Sequence, residues 1–236
     1  MDEPTPAGSA GRSGRFQGPW ELGPALALVA ACLYLALVWV PNERTMGVVS
    51  RIFYVHVASA WSAFVAFAVT AVAGAVYLAR RDWRWDLWAA ASAEVGVVFT
   101  TAVLVTGPLW ARPVWNVWWT WDPRLTTTLV LWFLYVGYLA LRQAVEDEDR
   151  RARLAAVYGL VAFLDVPVVY QSTRWWRTIH PQVLGPGSGG VAPEMLLTLA
   201  VCAAAFLALY AVLWRLAVRV GALERRARQA QEELVA

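Results

Sequence analysis

Two histidines, His56 and His180, are the only imidazoles in a chain of 236 residues that also carries 15 tryptophans and no lysine. Neutral imidazole is a common transition-metal ligand and a normal axial ligand of haem iron. Between the two histidines stands NVWWTWDPRL, residues 116–125, which packs three tryptophans, an aspartate and an arginine into ten positions. The neighbourhood as a whole gathers Trp110, Trp115, Trp118, Trp119 and Trp121 beside Asp122 and Arg124. Aromatic faces in such density suit a large planar apolar ligand, and guanidinium groups pair with carboxylates in bidentate fashion. Iron porphyrin meets these requirements together: planar, apolar over its faces, acidic at one edge, and open to two axial ligands. Arg51, Arg112, Arg124, Arg174 and Arg177 are candidate partners for the acidic edge. Zinc chemistry is poorly served, because zinc sites take three or four His, Cys or carboxylate ligands and the sequence clusters none.

These residues need elements to hold them, and the composition says of what kind. Hydrophobic residues make up 59% of the chain and charged residues 16%, with a mean hydropathy of +0.48. Ordinary soluble domains carry about 25% charged residues, so disorder is excluded and a soluble core protein is disfavoured. An apolar run of roughly 18 residues crosses the hydrocarbon as a helix. Six such runs occur, at about 22–40, 53–79, 87–106, 125–141, 154–171 and 193–214. Several are rich in Ala, Gly and Thr, which let helix backbones approach closely in lipid. The expected fold is all-α: a polytopic membrane protein of six transmembrane helices with a tryptophan-rich outward loop. Residues 1–19 read as a disordered tail, 20–220 as one membrane domain, and the Arg/Glu-rich 221–236 as a helical extension. The first apolar run is too long for a signal-peptide core, so it is expected to be retained.

Arginine sets the orientation. Fourteen of the 20 arginines fall on one side of the six-span layout and six, including Arg51, Arg124 and Arg177, on the other. The positive-inside rule then puts both termini in the cytoplasm. Segments 41–52, 107–124 and 172–192 face outward, so both histidines and the tryptophan-rich loop share a side. Within that loop Pro113 is expected to start a short helix and Pro123 to discourage its continuation. Trp115, Trp118, Trp119 and Asp122 would then fall at i, i+3, i+4 and i+7 on one helical face. Such a face has a plainer use, as an aromatic belt lying at the lipid headgroups.

Other polar residues in the spans carry less. Cys32 and Cys202 stand singly in the first and last spans, without C-x-x-C or C-x-x-C-H spacing, and read as small apolar-like residues of a bundle. Glu94 and Asp165 lie inside spans, where a charge costs on the order of 2.5–3.5 kcal/mol to insert. Asp165 precedes Pro167, which frees a backbone carbonyl and bends its helix. No G-x-x-x-x-G-K-[ST] loop is present in the sequence.

On these residues the chain resembles a known family. VTGPLWARPVWNVWWTWDPRLT is similar to the tryptophan-rich "WWD" signature of the haem-handling proteins of cytochrome c biogenesis. RIFYVHV and DVPVVYQSTRWWRTIHPQ resemble the flanking histidine segments of its cytochrome c maturation protein C branch. Asn116 stands where a glycine is usual, Pro123 where alanine is usual, and Ala58 where a proline often follows the histidine. The resemblance covers about residues 45–185. It implies a bacterial inner-membrane protein that binds haem b at its outer face with His56 and His180 as axial ligands. The Trp loop would cradle the exposed ring. The haem would be handed to the periplasmic haem chaperone, cytochrome c maturation protein E. The other implied partners are the ABC transporter subunits of that system and a small single-span protein, cytochrome c maturation protein D. Two further readings stand beside this one: a synthetase subunit of the same superfamily, and a bis-histidine electron-transfer cytochrome b. A plain transporter would rest only on the buried acids.

Overall fold

A computed structural model describes residues 22–180 and 191–235; the expected tail at 1–19 and positions 181–190 of the third outward segment lie outside them. The described residues form helices and no strand. Helix α1 (Leu22–Tyr34) ends in a π-helical turn, Leu35–Trp39, and a 3-10 turn, Val48–Arg51, leads into α2 (Ile52–Arg80). Then come α3 (Trp83–Trp115), α4 (Pro123–Ala144), α5 (Glu148–Phe163), α6 (Asp165–Trp175) and α7 (Pro193–Val235). Six helical segments are long and apolar enough to cross a membrane, with α5 and α6 together forming the fifth. The chain is a multi-pass membrane protein.

The split between α5 and α6 has a local cause. Pro167 has no N–H, and its ring clashes with the carbonyl four residues back, here that of Phe163, where α5 ends. The 3-10-like bond from Leu164 N–H to the Val161 carbonyl, 3.1 Å, closes the break.

Helices α2 and α3 form the centre of the bundle through small residues. Ala63, Ala66, Ser62 and Thr70 of α2 are buried together with Ala89, Ala93 and Ser92 of α3. A β-carbon on Gly96 would lie 2.5 Å from the Phe67 ring, so only glycine admits that ring. Ser92 Oγ donates to the Ala66 carbonyl at 2.7 Å and pairs with Tyr210 Oη of α7 at 2.8 Å. Phe67 stacks on Tyr135 of α4 with ring centroids 3.6 Å apart. Close backbones and interhelical hydrogen bonds replace the hydrophobic drive that lipid does not provide.

The two ends of the bundle differ. At one, Arg142 holds Asp86 through bonds of 2.5 and 2.8 Å, Arg225 reaches Glu148 at 3.1 Å, and its guanidinium lies over the Trp83 ring. At the other lie the start of α2, the end of α3, the start of α4 and the end of α6, which carry the histidines and tryptophans.

Four expectations need correction. Helix α3 does not stop near residue 106; it continues through Pro108 and Pro113 to Trp115. Prolines are tolerated inside membrane helices where neighbouring groups satisfy the freed backbone, and packing of Trp110 and Ala111 into the bundle holds this stretch helical. Pro113 therefore sits in the last turn of α3 and starts no helix. Asn116 ends that helix in the left-handed region, φ 58°, which Gly and Asn enter most readily, and Arg112 bonds both its carbonyl, at 2.8 Å, and its side-chain oxygen. Residues 116–122 are then non-helical, so Trp115, Trp118, Trp119 and Asp122 share no helical face. The cysteines are also not single: Cys32 and Cys202 form a disulfide between α1 and α7, 170 residues apart and fully buried.

Candidate functional site

The site is built from helix ends. A tight turn orients the start of α2: Glu43 accepts from Met46 N–H at 2.7 Å, and Ser50 Oγ donates to the Gly47 carbonyl at 2.7 Å. One turn into α2, His56 is 8% exposed, and its Nδ1 meets Thr106 Oγ1 of α3 at 2.8 Å. Thr106 in turn donates to the Ala102 carbonyl of its own helix at 2.7 Å.

His180 comes from a different direction, on the non-helical segment after α6. Its position is set by backbone and aspartate. Asp122 caps α4 by accepting from Arg124 N–H at 3.0 Å, with Pro123 at the first helical position, where its missing N–H costs nothing. The same carboxylate accepts from Thr178 Oγ1 at 2.9 Å and from Ile179 N–H at 3.0 Å. Thr178 Oγ1 then accepts the His180 N–H at 2.9 Å. The ring's Nδ1 is buried and has no hydrogen-bond partner among the described residues. Burial and the nearby Arg124 charge push the His180 imidazole down to about 4, against a weaker opposing pull from Asp122. The ring is neutral at physiological pH and free to donate a lone pair.

Both imidazoles open on one cleft, walled mainly by apolar and aromatic side chains of α2, α3 and α4. Trp110, only 2% exposed, joins them: its ring centroid lies 5.9 Å from that of His56 and 6.4 Å from that of His180. Trp115 packs against His180 at 6.4 Å and against Trp110 at 6.2 Å. Trp119 and Arg124 complete the set of expected residues that line the cleft. The Arg124 guanidinium also reaches the Tyr170 carbonyl at 3.4 Å, linking α4 to α6.

The other expected residues stand elsewhere. Trp118 and Trp121 are 57% and 76% exposed and do not line the cleft. Arg51 turns back to Asn42 Oδ1, at 3.0 Å, and to the Leu37 carbonyl. Arg177 is exposed on the segment before His180. Asp122 is buried in the clasp just described. In the other direction, the cleft wall includes Trp61 and Phe64, which the sequence reading did not single out. A signal for them existed: Val57, Ala60, Trp61 and Phe64 follow His56 at i+1, i+4, i+5 and i+8, a helical stripe. Among the described residues no group of three or more His, Cys, Asp or Glu is placed to hold a bare metal ion. An aromatic cleft with two imidazoles suits a metal that arrives within a planar ligand.

The sequence matches the family model described as Heme exporter protein C over residues 7–233. It is 36% identical over 215 residues to the protein named "Heme exporter protein C" of Bradyrhizobium diazoefficiens, covering 90% of this chain and 81% of that one. To the protein of that name from Haemophilus influenzae it is 35% identical over 207 residues, 84% of this chain and 83% of the relative. The Escherichia coli protein of that name is 38% identical over 159 residues, 64% of each chain. The chain belongs to the heme exporter protein C family.

Proposed function

We propose that this chain binds haem b in the cleft between α2, α3 and α4, with His56 and His180 as axial ligands, and passes it on during cytochrome c maturation. One observation carries the proposal: the only two imidazoles of the sequence, 124 residues apart in number, open on one tryptophan-lined cleft with Arg124 at its wall. The residues fit the group. Trp110, Trp115 and Trp119 offer aromatic contact to a flat apolar ring, and Arg124 offers a cation to its carboxylates. Bound there, haem would supply iron with two open axial positions, and the chain itself holds the ligands, shapes the wall and limits water. Relatives named for heme export support the same reading.

The orientation belongs to the proposal as well. Arginine asymmetry puts the cleft on the periplasmic side of the bacterial inner membrane and both termini in the cytoplasm. The acceptor would then be a periplasmic haem chaperone, cytochrome c maturation protein E. ABC transporter subunits and the single-span cytochrome c maturation protein D would complete the assembly. The exposed Trp118 and Trp121 suit headgroup contact or contact with the acceptor.

Optical and resonance Raman spectra of the purified, haem-loaded protein test the site. The parent is expected to show six-coordinate, low-spin haem, and His56→Ala and His180→Ala are each expected to lose that species and to abolish haem transfer. Added imidazole should restore part of the six-coordinate species by filling the vacated position. Unchanged spectra in both variants would sink the site.

A further inference from the structure

We infer that the two histidines are unequal: Thr106 fixes His56 as the retained ligand, and His180 is the ligand that leaves first when the haem is passed on. This rests on the bis-histidine reading above and adds an order of events to it.

The order follows from how each ring is held. Thr106 has one hydroxyl proton, and it points to the Ala102 carbonyl at 2.7 Å. In the 2.8 Å contact with His56 the threonine oxygen is therefore the acceptor and Nδ1–H the donor. That leaves Nε2 as the unprotonated nitrogen of His56, carrying its lone pair before any ligand arrives. The ring is also backed by α3, where Gly107 brings the helix close to His56 Cε1. A hydrogen bond to the distal nitrogen fixes tautomer and orientation and raises the basicity of the ligating one. To withdraw His56, the packed α2–α3 pair would have to move.

His180 has none of this. Among the described residues its ring packs on Trp110 and Trp115 but makes no hydrogen bond through Nδ1, and the bond to Thr178 Oγ1 comes from its backbone N–H. Among the described residues no polar group selects its tautomer, and residues 176–180 are not helical. Its withdrawal breaks one coordinate bond, with the electron pair staying on the imidazole nitrogen. The released position would be open to a donor of the acceptor, while His56 would still hold the haem. The clasp at Asp122 is the part that must open.

Two measurements test this. In the haem-free protein with ¹⁵N-labelled histidine, His56 is expected as the Nδ1–H tautomer, retained in Thr106→Ser and mixed in Thr106→Val. In the haem-loaded protein, Thr106→Val is expected to lose haem to an apo-globin scavenger about 10–100-fold faster, the usual effect of removing such a partner, with Thr106→Ser restoring most of the retention. His180→Ala is expected to keep haem on a single imidazole, whereas His56→Ala releases it. Equal retention by the two alanine variants, or better retention by His56→Ala, overturns the order. An unchanged tautomer and unchanged loss rate in Thr106→Val overturn the role of Thr106. A haem spectrum indifferent to both histidines would instead refute the bis-histidine reading, while the tautomer in the haem-free protein would still report on Thr106.

Discussion

Asp122 and Thr178, 56 residues apart in sequence, are joined by a hydrogen bond of 2.9 Å that fastens the His180 segment to the first turn of α4. The aspartate accepts two more bonds, from Ile179 N–H and Arg124 N–H. An ionised carboxylate is acceptor-only, and three donors converge on it. The acid of the tryptophan-rich motif thus works as a clasp between the start of a helix and a ligand-bearing loop. It also fixes the distance between His180 and Arg124, the two groups that α4 and the loop contribute to the cleft.

Asp122→Ala should therefore behave as a His180 variant without touching the imidazole. Each buried donor left unsatisfied costs about 1–3 kcal/mol, which is enough to free residues 178–180. The low-spin spectrum is expected to weaken while the haem stays on His56, with Asp122→Asn between Ala and the parent. A parental low-spin spectrum in Asp122→Ala would show that the clasp does not position the ligand.

The tryptophans divide into two groups that the motif itself does not distinguish. Replacing Trp110, Trp115 and Trp119 together by Ala removes the cleft wall, at about 0.5–1.5 kcal/mol per aromatic contact beyond burial. Haem retention is expected to collapse in that variant. Trp118→Ala with Trp121→Ala should retain haem, since both side chains are largely exposed; any defect should appear in transfer to the chaperone. Equal retention by the two combinations would contradict the division.

How far the sequence revealed this site depends on the kind of signal. Apolar runs longer than a bilayer is thick are unambiguous, and all six spans were legible in them. That both histidines fall on one side followed from counting helices, and the structure brings them to one cleft. The reach of α3 was not legible: Pro108 and Pro113 read locally as breakers, whereas packing of Trp110 and Ala111 holds the chain helical through them. The supposed tryptophan face fell with that boundary, because Asn116 turns the chain into the left-handed region three residues after Pro113. Contacts between helices leave no local trace. Thr106 lies 50 residues from His56, and Cys32 lies 170 from Cys202, with no spacing rule to join either pair.

Orientation is checked by labelling. Trp121→Cys, on the exposed turn beside the cleft, should react with a membrane-impermeant maleimide in intact spheroplasts. Asp149→Cys, on the exposed side of the opposite end, should react only after lysis. The reverse pattern would move the cleft to the cytoplasm and remove the periplasmic chaperone as acceptor.

The His180 imidazole carries a pH signature. Burial and Arg124 disfavour its charged form, so it takes up a proton only near pH 4 rather than 6.5. The unfolded chain protonates first as pH falls, so this group's contribution to stability is present above about 6.5 and is lost progressively towards 4. In the haem-free protein, NMR titration should place the His180 midpoint well below 6. Arg124→Gln should raise it, because the repelling charge is gone. A midpoint at the ordinary histidine value would mean that the ring is solvated and not in the cleft wall.

The disulfide gives the last prediction. Helix α1 buries Ala25 and Cys32, with Ala36 following in the π-turn, and packs along α7. The Cys32–Cys202 bond ties it to α7 next to Ala58, Trp110 and Ala205, in the apolar cluster behind the cleft. Cross-links that close long loops contribute typically 2–4 kcal/mol, in addition to the packing of α1 on α7. Cys32→Ser with Cys202→Ser is therefore expected to lower the thermal unfolding midpoint in detergent by several degrees. The haem spectrum should stay at its parental form, since His56 is held by α3 and His180 by the Asp122 clasp. Neither anchor involves α1. Denatured parent protein should take up maleimide only after reduction, by two equivalents. Labelling without reductant would mean that the thiols are free, and an unshifted midpoint in the double serine variant would mean that lipid and α7 packing alone hold the first helix.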